Sequence, residues 1–355
     1  MTDKSKHRVL MIGPDRSVRG GVSGMVNNYF DAGLDHKVDL CYIGTMVDGS
    51  RGRKLGQAIK AYLCFLRKLP KYDIVHVNMA SDSSYYRKSF FIRTAKAFHK
   101  KIVIHQHGGS FQAFYQKELS ERGRKRAREV LNMGDAFLVL GTQWKKFFGE
   151  IIGEEHITVL PNAVRIPEKK EKKYGSHKIL FLGRLCKEKG IGELIGAVGK
   201  LREKYPDLQL YLAGVWESED DVLKERVKKL GACVTQTGWI GGEQKQKYLE
   251  ECDIFVLPSY FEGQPVSVLE AMANACGVAA SAVGDIPDMI VGGETGLLSV
   301  PQNEEDLEEK LDLLLADAGL CRRLGENARR KAEEAFSIER GVEQILTIYE
   351  KITTS

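Results

Sequence analysis

The feature that most constrains this chain is an alternation of short, almost wholly apolar runs with longer amphipathic ones, carried through once and then restarted. The first series of runs covers residues 8–12, 38–43, 73–78, 102–106, 136–140 and 157–160. Continuous apolar runs suit strands covered on both faces, as the strands of parallel sheets are. Helical spacing between them, over 54–69 and 87–99 for example, supplies the crossovers that parallel strands need. A polar, basic stretch at 165–177 (RIPEKKEKKYGSH), with Pro167 and Gly175 in it, then breaks the pattern. Beyond it a second series runs through 178–182, 208–213, 232–235, 253–257 and 278–281, and a long helical pattern covers 337–352. Two doubly wound α/β domains are expected, over 1–166 and 167–335, followed by a final helix over 336–355.

Composition narrows the class. With 355 residues, 43% of them hydrophobic and 28% charged, the chain can build two cores and is too apolar for disorder. Its opening, MTDKSKHRVLMIG, passes from a charged tail directly into an apolar run, without the apolar core of a signal peptide. No run nears the ~20 apolar residues of a membrane-spanning helix, so a cytoplasmic protein is expected. The 7 cysteines are odd in number, scattered and free of any C-x-x-C pair, which points to reduced thiols rather than a disulfide framework or a zinc site. Charge is divided unevenly. Residues 1–166 hold 28 Lys and Arg against 15 Asp and Glu, whereas residues 167–355 hold 25 against 33, so the two halves are expected to meet different partners.

In open parallel sheets, ligands bind beyond the carboxyl ends of the strands, so the loops after strands carry the chemistry. After 253–257 comes PSYFEGQPVSVLEAMANA (258–275). Pro265 marks a helix start, and backbone amides at Gln264, Val266 and Ser267 can hold an oxygen-rich group; Pro265 itself has no amide hydrogen. Glu262 in the turn and Glu270 in the helix can address one crevice, where carboxylates accept from the vicinal hydroxyls of a ribose or a hexose. The residues alone leave open that Glu262 caps the helix and Glu270 is solvated. After 178–182, FLGRLCKEKG (181–190) sets Arg184 and Lys189 at a strand-to-helix junction, where two cations can neutralise a diphosphate. A surface charge pair is the plainer reading there, and Cys186 between them reads as an incidental small residue. His76, His105 and His107 lie near strand ends, the last two on one side of the pleat if the strand extends that far.

Taken together, GRL-x-x-x-KG (183–190), the E-x7-E of Glu262 and Glu270, and GDIPDMIVGGETGLL (284–298) resemble the group 1 glycosyltransferases, glycosyltransferase family 4. The Gly20–Gly21 loop, HQHGGSF (105–111), LPNAV (160–164), TGWI (237–240) and CDIFVLPS (252–259) fall in the matching order along most of the chain. The resemblance implies the GT-B fold: α/β, two facing Rossmann-like domains, the donor in the second, and a last helix crossing back to the first. It also implies transfer with retention of anomeric configuration. By position, Arg184 and Lys189, with Gly20 and Gly21, resemble the donor-diphosphate clamp. Glu262, with Gln264, Val266 and Ser267, resembles the donor-sugar site, Glu270 the ribose ligand, and Trp239 with Ile240 the nucleobase site. His107 resembles the active-site histidine facing the donor sugar and joins Glu262 as a catalytic group, while His76 and His105 are expected to be structural. One departure is Val215-Trp216-Glu217 after LAG (212–214), where the family commonly carries another glycine; it puts the nucleobase pocket in doubt.

No D-x-D in a strand-end loop and no His/Cys spacing suggests a metal. Protein cations, with no metal and no cofactor, are therefore expected to stabilise the leaving nucleoside diphosphate. The acceptor hydroxyl is expected to attack from the leaving-group side, a donor phosphate oxygen helping to take its proton; double displacement through a carboxylate stays open. UDP is expected from the family's commonest donors, and the acceptor is lipid-linked or an oligosaccharide. The basic runs of the first half point the same way: seven basic residues and no acid over 51–71, six and none over 87–101, and ERGRKRAR at 121–128. They suit an anionic lipid surface, hence a peripheral enzyme at the cytoplasmic face that builds a cell-surface polysaccharide or glycolipid. Within 54–69, Leu55, Ile59, Tyr62, Leu63 and Leu66 follow helical spacing, and the plainer reading turns them inward as the core face of an ordinary Rossmann helix. Nucleic acid is not expected, since no binding motif accompanies the basic runs. Two other classes compete. One is a non-catalytic nucleotide-sugar-binding or scaffolding subunit of a membrane-associated assembly. The other is a dinucleotide oxidoreductase, which GPDRSVRGGVSG disfavours by lacking G-x-G-x-x-G in place.

Overall fold

The computed structural model describes residues 6–18, 20–217 and 221–354. The chain divides into two compact units, Met1–Ala163 with Ile338–Ser355, and Val164–Ser337. Helices of eight residues or more are numbered below in chain order.

The first unit is built on a six-stranded sheet: β1 (Arg8–Gly13), β2 (Asp39–Gly44), β3 (Ile74–Met79), β4 (Lys101–Gln106), β5 (Ala136–Val139) and β6 (Ile157–Val159). Every neighbouring pair is parallel, in the order β2-β1-β3-β4-β5-β6. The crossovers carry α1 (Gly21–Asp31), α2 (Arg51–Lys68), α3 (Asp82–Ala97), α4 (Glu121–Leu131) and α5 (Thr142–Ile152). Each strand feeds both sheet faces. Leu10, Ile12, Val75, Val77, Ile102 and Ile104 pack with Phe65 of α2 and Phe91 of α3. Val9, Met11, Ile74, Val103 and Leu138 pack on the opposite face with Met25, Val26 and Tyr29 of α1.

Helix α2 departs from the plainer reading of its sequence. Ala61 and Phe65 are its buried residues, whereas Leu55, Ile59 and Leu63 are 64%, 55% and 62% exposed and Leu66 is 36% exposed. Tyr62 is the hinge between the faces: it lies edge-on to Phe91 and its hydroxyl meets Thr94 Oγ1 at 2.7 Å. Apolar residues cover too much of this helix for one sheet face to absorb. Phe65, the bulkiest, takes the core, and the stripe of Leu55, Ile59, Leu63 and Leu66, centred about a third of a turn away, is left outside.

The second unit repeats the plan with β7 (Lys178–Leu182), β8 (Gln209–Ala213), β9 (Val234–Gln236), β10 (Ile254–Leu257), β11 (Gly277–Ser281) and β12 (Leu297–Ser299). The order is β12-β11-β10-β7-β8-β9, again all parallel. Its helices are α6 (Ile191–Lys204), α7 (Asp221–Lys229), α8 (Gly242–Glu251), α9 (Val266–Ala273), α10 (Glu304–Ala316) and α11 (Ala318–Ala335). The last helix, α12 (Ile338–Thr354), belongs to the first unit, where Ile338, Val342, Ile345, Tyr349 and Ile352 join the α1 side of the core. In both sheets the strand order reverses beside the first strand, between β1 and β3 and between β7 and β10. That reversal opens a crevice at the carboxyl edge.

Candidate functional site

At the reversal of the second unit, the loops after β7 and β10 are latched together. Gly190 adopts φ 71°, and a Cβ there would come 2.0 Å from the Pro258 carbonyl oxygen, so only glycine lets the first loop seat against the second. The Tyr260 amide donates to the Glu188 carbonyl at 2.8 Å. Across this junction Lys189 Nζ donates to Glu262 Oε1 at 2.6 Å, with the two side chains only 18% and 10% exposed. The β7 loop and the β10 turn, read separately in the sequence, thus meet in one ion pair. Arg184 is more open. Its side chain is 56% exposed and pairs with the Glu217 carboxylate; the Glu217 backbone amide donates to the Leu185 carbonyl at 3.2 Å. The segment that departs from the family pattern therefore supplies the partner of Arg184.

Pro265 caps the start of α9, so Val266 and Ser267 carry the first amides of the helix, the ones without intrahelical acceptors. Glu270, inside α9, pairs at 2.5 Å with Lys245 of α8, a residue that sequence reasoning did not single out. Gln264 is buried, and Trp239 is 44% exposed. Ile240 packs its side chain into the core of the second unit, whereas Trp239 presents its side chain outward. Burial pushes the Cys186 thiol up to about 11, in keeping with an inert small residue.

Two residues of the 284–298 motif, to which the sequence reading assigned no role of their own, join this junction. Gly284, at φ 54°, passes so close to the Glu262 carbonyl oxygen that a Cβ would sit 2.1 Å from it. The Asp285 amide donates to the Gly263 carbonyl at 2.9 Å. The Asp285 carboxyl is fully buried, and neither oxygen has a hydrogen-bond partner. Burial, reinforced by Asp288, raises it to about 7. Both residues lie in GDIPDM, where Asp285 sits in the turn that follows β11.

The first unit presents a second set of groups at its own reversal. His107 follows β4, and its amide donates to the Met79 carbonyl at 2.8 Å. Its Nε2 lies 2.8 Å from Asn78 Oδ1, and Asn78 Nδ2 donates to the Ile12 carbonyl at 3.2 Å. Because Nδ2 is committed as donor, Oδ1 accepts, so Nε2 of His107 carries the hydrogen and Nδ1 keeps a free lone pair. Burial, then His76, pushes His107 down to about 3, so the ring is neutral at physiological pH. Behind it the His105 ring lies 3.9 Å away, centroid to centroid. His105 Nδ1 meets His76 Nε2 at 3.4 Å, and His76 Nδ1 meets the Tyr349 hydroxyl of α12 at 2.6 Å. Burial lowers His76 to about 3 and holds His105 well below its ordinary value. Asn78 and Tyr349 were not legible in the sequence, since neither lies in a recognisable motif. Gly20, extended at φ 175°, and Gly21, which opens α1, stand clear: a Cβ on either meets no atom within 4 Å.

Comparison with known proteins bears on this arrangement. Residues 163–331, nearly the whole second unit, match the family model described as glycosyl transferases group 1. An α-maltose-1-phosphate synthase of Mycolicibacterium smegmatis is 31% identical over 188 residues, covering 49% of this chain and 48% of that protein. The chain spans about half the length of the curated relatives it matches. The whole fold is shared with sucrose-phosphate synthase of Thermosynechococcus elongatus, at TM-score 0.80 and 20% identity over 98% of this chain and 100% of that one. It is also shared with HepE of Anabaena, solved in complex with UDP and glucose, at TM-score 0.77 and 15% identity over 97% and 99%. The two-sheet α/β architecture is that of the GT-B glycosyltransferases, and the second unit is similar to the group 1 domain along most of its length.

Proposed function

We propose that the protein is a glycosyltransferase of the hexosyl or N-acetylhexosaminyl class, which takes a sugar from a nucleotide-sugar, foremost a UDP-sugar, and transfers it with retention of configuration. The observation that carries this reading is the Lys189–Glu262 ion pair across the β7–β10 reversal, where an anion-binding cation and a hydroxyl-binding carboxylate stand in contact. In this reading, Arg184 and Lys189 leave their carboxylate partners for the donor diphosphate, Glu262 and the α9 amides take the sugar hydroxyls, and Glu270 takes the ribose. The acceptor oxygen attacks the anomeric carbon on the face the diphosphate leaves. The bond from that carbon to the phosphate oxygen breaks, and the acceptor proton passes to the departing phosphate. Protein cations meet the charge that develops there; the scheme uses no metal or cofactor. His107 offers its neutral Nδ1 to a reacting hydroxyl. Thermal-shift screening against UDP-, GDP- and ADP-sugars tests the reading, because a ligand that binds only the native state raises its melting temperature. Glu270→Ala should lose affinity for free UDP, and Glu262→Ala should lose it chiefly for the intact UDP-sugar. Equal losses of free UDP in both variants would refute that division.

The acceptor in this reading is lipid-linked or a saccharide, met by an enzyme attached peripherally to the cytoplasmic face of a membrane. Helix α2 favours the lipid surface. Its exposed stripe of Leu55, Ile59, Leu63 and Leu66 borders Arg53, Lys60 and Arg67 on the helical wheel, and α2 holds no acidic residue. Phe90 and Tyr86 of the neighbouring α3 are 66% and 54% exposed. An apolar stripe edged with cations is the pattern of a helix that lies in a lipid interface. No helix among the described residues is long and apolar enough to cross a membrane. Co-sedimentation with vesicles should show binding to anionic but not neutral lipid, weakened by salt, by Lys60→Glu with Arg67→Glu, and by Ile59→Ser with Leu63→Ser. Equal pelleting with both lipids, or with neither, would remove the membrane from the proposal.

A further inference from the structure

The reversal of the first sheet lies between β1 and β3, and α3 springs from β3 directly beside it. Lys88, in the second turn of α3, is 1% exposed, and Tyr85, Phe91 and Ile92 of the same helix are buried as well, the Phe91 ring 6.0 Å from its Nζ. Its Nζ donates to Thr45 Oγ1 at 2.5 Å, and that hydroxyl donates on to the Gly13 carbonyl at 2.9 Å. The ammonium therefore stands over the carboxyl ends of β1 and β2. A lysine ammonium offers three N–H donors, and Thr45 takes one. Burial, and after it the like charge of Arg87, holds Lys88 well below its ordinary value, and Arg87 Nε is itself buried without a hydrogen-bond partner. Neither residue forms an ion pair with a carboxylate among the described residues.

A buried lysine next to an arginine, with no acid among the described residues to answer either, is unfavourable for folding in its charged form, and an anion beside it would restore that form. A methionine at position 88 would fill the same space without that cost. Where a basic group is kept in so unfavourable a setting, the partner that completes it comes from outside the polypeptide. The location agrees, since ligands of open α/β sheets lie beyond the strand ends at the reversal. The start of α3 also adjoins the His107 loop: a Cβ on Gly108 would come 3.1 Å from both Ala80 Cα and Ser81 N. Lys88 is roughly 10 Å along the helix from Ser81 at 1.5 Å per residue.

We propose that Lys88 and Arg87, with the Thr45 hydroxyl, form an anion site in the first unit that takes a phosphoryl group of the acceptor. This deepens the glycosyltransferase reading and rests on it only for the word acceptor. The shared chemistry is a phosphate or diphosphate oxyanion, carried either by a soluble sugar phosphate or by a lipid diphosphate. The test uses the full chain saturated with UDP, so that the diphosphate clamp of the second unit is already filled, and inorganic pyrophosphate as the probe. The wild-type melting temperature should rise further with pyrophosphate, saturably. Lys88→Met should melt at or above the wild-type temperature without ligand, keep its response to UDP, and bind pyrophosphate at least tenfold more weakly. Arg87→Gln, at a partly exposed position, should fold normally and weaken pyrophosphate in the same direction. The site is overturned if the UDP-saturated wild type shows no pyrophosphate response, or if both variants bind it within twofold of wild type. A wild type that answers pyrophosphate but not UDP would instead break the donor reading, and the anion site would then stand if Lys88→Met and Arg87→Gln still weaken pyrophosphate, and fall if they do not. Replacing the probe by glucose 1-phosphate or by farnesyl diphosphate separates the two sources, the tighter of the two naming the acceptor's carrier.

Discussion

Lys189 and Arg184 stand in one loop, yet their surroundings call for different responses to removal. Lys189 and Glu262 are both largely buried and bonded at 2.6 Å, so Lys189→Ala leaves a carboxylate in a poorly solvated turn without its partner. A buried polar group stripped of its hydrogen bond costs about 1–3 kcal/mol, and the melting temperature should fall. Arg184 is more than half exposed, and exposed ion pairs contribute little; Arg184→Ala should melt within a degree or two of wild type. Both should lose UDP affinity if both meet the diphosphate. Differential scanning fluorimetry with and without UDP separates these effects. A Lys189→Ala protein as stable as Arg184→Ala would mean that the ion pair does not hold the two loops together. Asn78 teaches a related lesson at the same scale. Its amide fixes which nitrogen of His107 carries the hydrogen, although nothing in the sequence marks it beyond a polar residue inside an apolar strand.

At the scale of elements, what the sequence disclosed and what it hid divide along physical lines. Eleven of the strands were legible because continuous apolar runs bounded by Gly, Pro and polar turns leave little else to form; β12 was missed, being three residues long and ending in Ser299. Helix α3 begins at Asp82, well before the expected start, because DSSYY carries no periodicity of its own. The loops after β7 and β10 were legible as chemistry because charge at a strand end is conspicuous, whereas Lys245, Asp285 and Tyr349 act through contacts distant in sequence. The orientation of α2 could not be read from the sequence. Helical spacing identifies an apolar face, but not which of two neighbouring apolar rows meets the sheet. The structure sets Phe65 inward and Leu63 outward, which makes a sharp comparison. Phe65→Ala should cost about 3–5 kcal/mol, as core phenylalanine truncations do, while Leu63→Lys should be nearly neutral in urea unfolding. A large loss at Leu63 would restore the inward reading and remove the exposed stripe.

The molecule as a whole has two cores, and its response to acid should come from the first. His76 has a folded value of about 3 against about 6.5 in an unfolded chain. The folded state then binds fewer protons, so this stability is present above pH 6.5 and is lost as the pH falls toward 3. At pH 5 the loss from His76 is about 2 kcal/mol; His105 and His107, also depressed, act in the same direction. Asp285, raised to about 7, has the opposite sign: its contribution is present below pH 3.8 and lost as the pH rises through 7. Melting curves from pH 4 to 8 should slope downward on the acid side, and His76→Gln should flatten that slope. The last helix gives a more severe test of how the chain is partitioned. Residues Ile338, Val342, Ile345, Ile348, Tyr349 and Ile352 of α12 are all buried in the first unit, against strands and α1 encoded some three hundred residues earlier. At about 1.5–3 kcal/mol per large apolar side chain, their burial is worth on the order of 10 kcal/mol, comparable with the whole stability of a domain. Their removal also strips Tyr349 from His76. A chain ending at residue 337 should therefore lose the first unit's melting transition in calorimetry, while the second unit, whose core draws only on residues 164–336, still melts cooperatively and still shifts with UDP. If the shortened chain kept both transitions, α12 would be a passive cover; if it lost both, the two units would not be separate folding bodies.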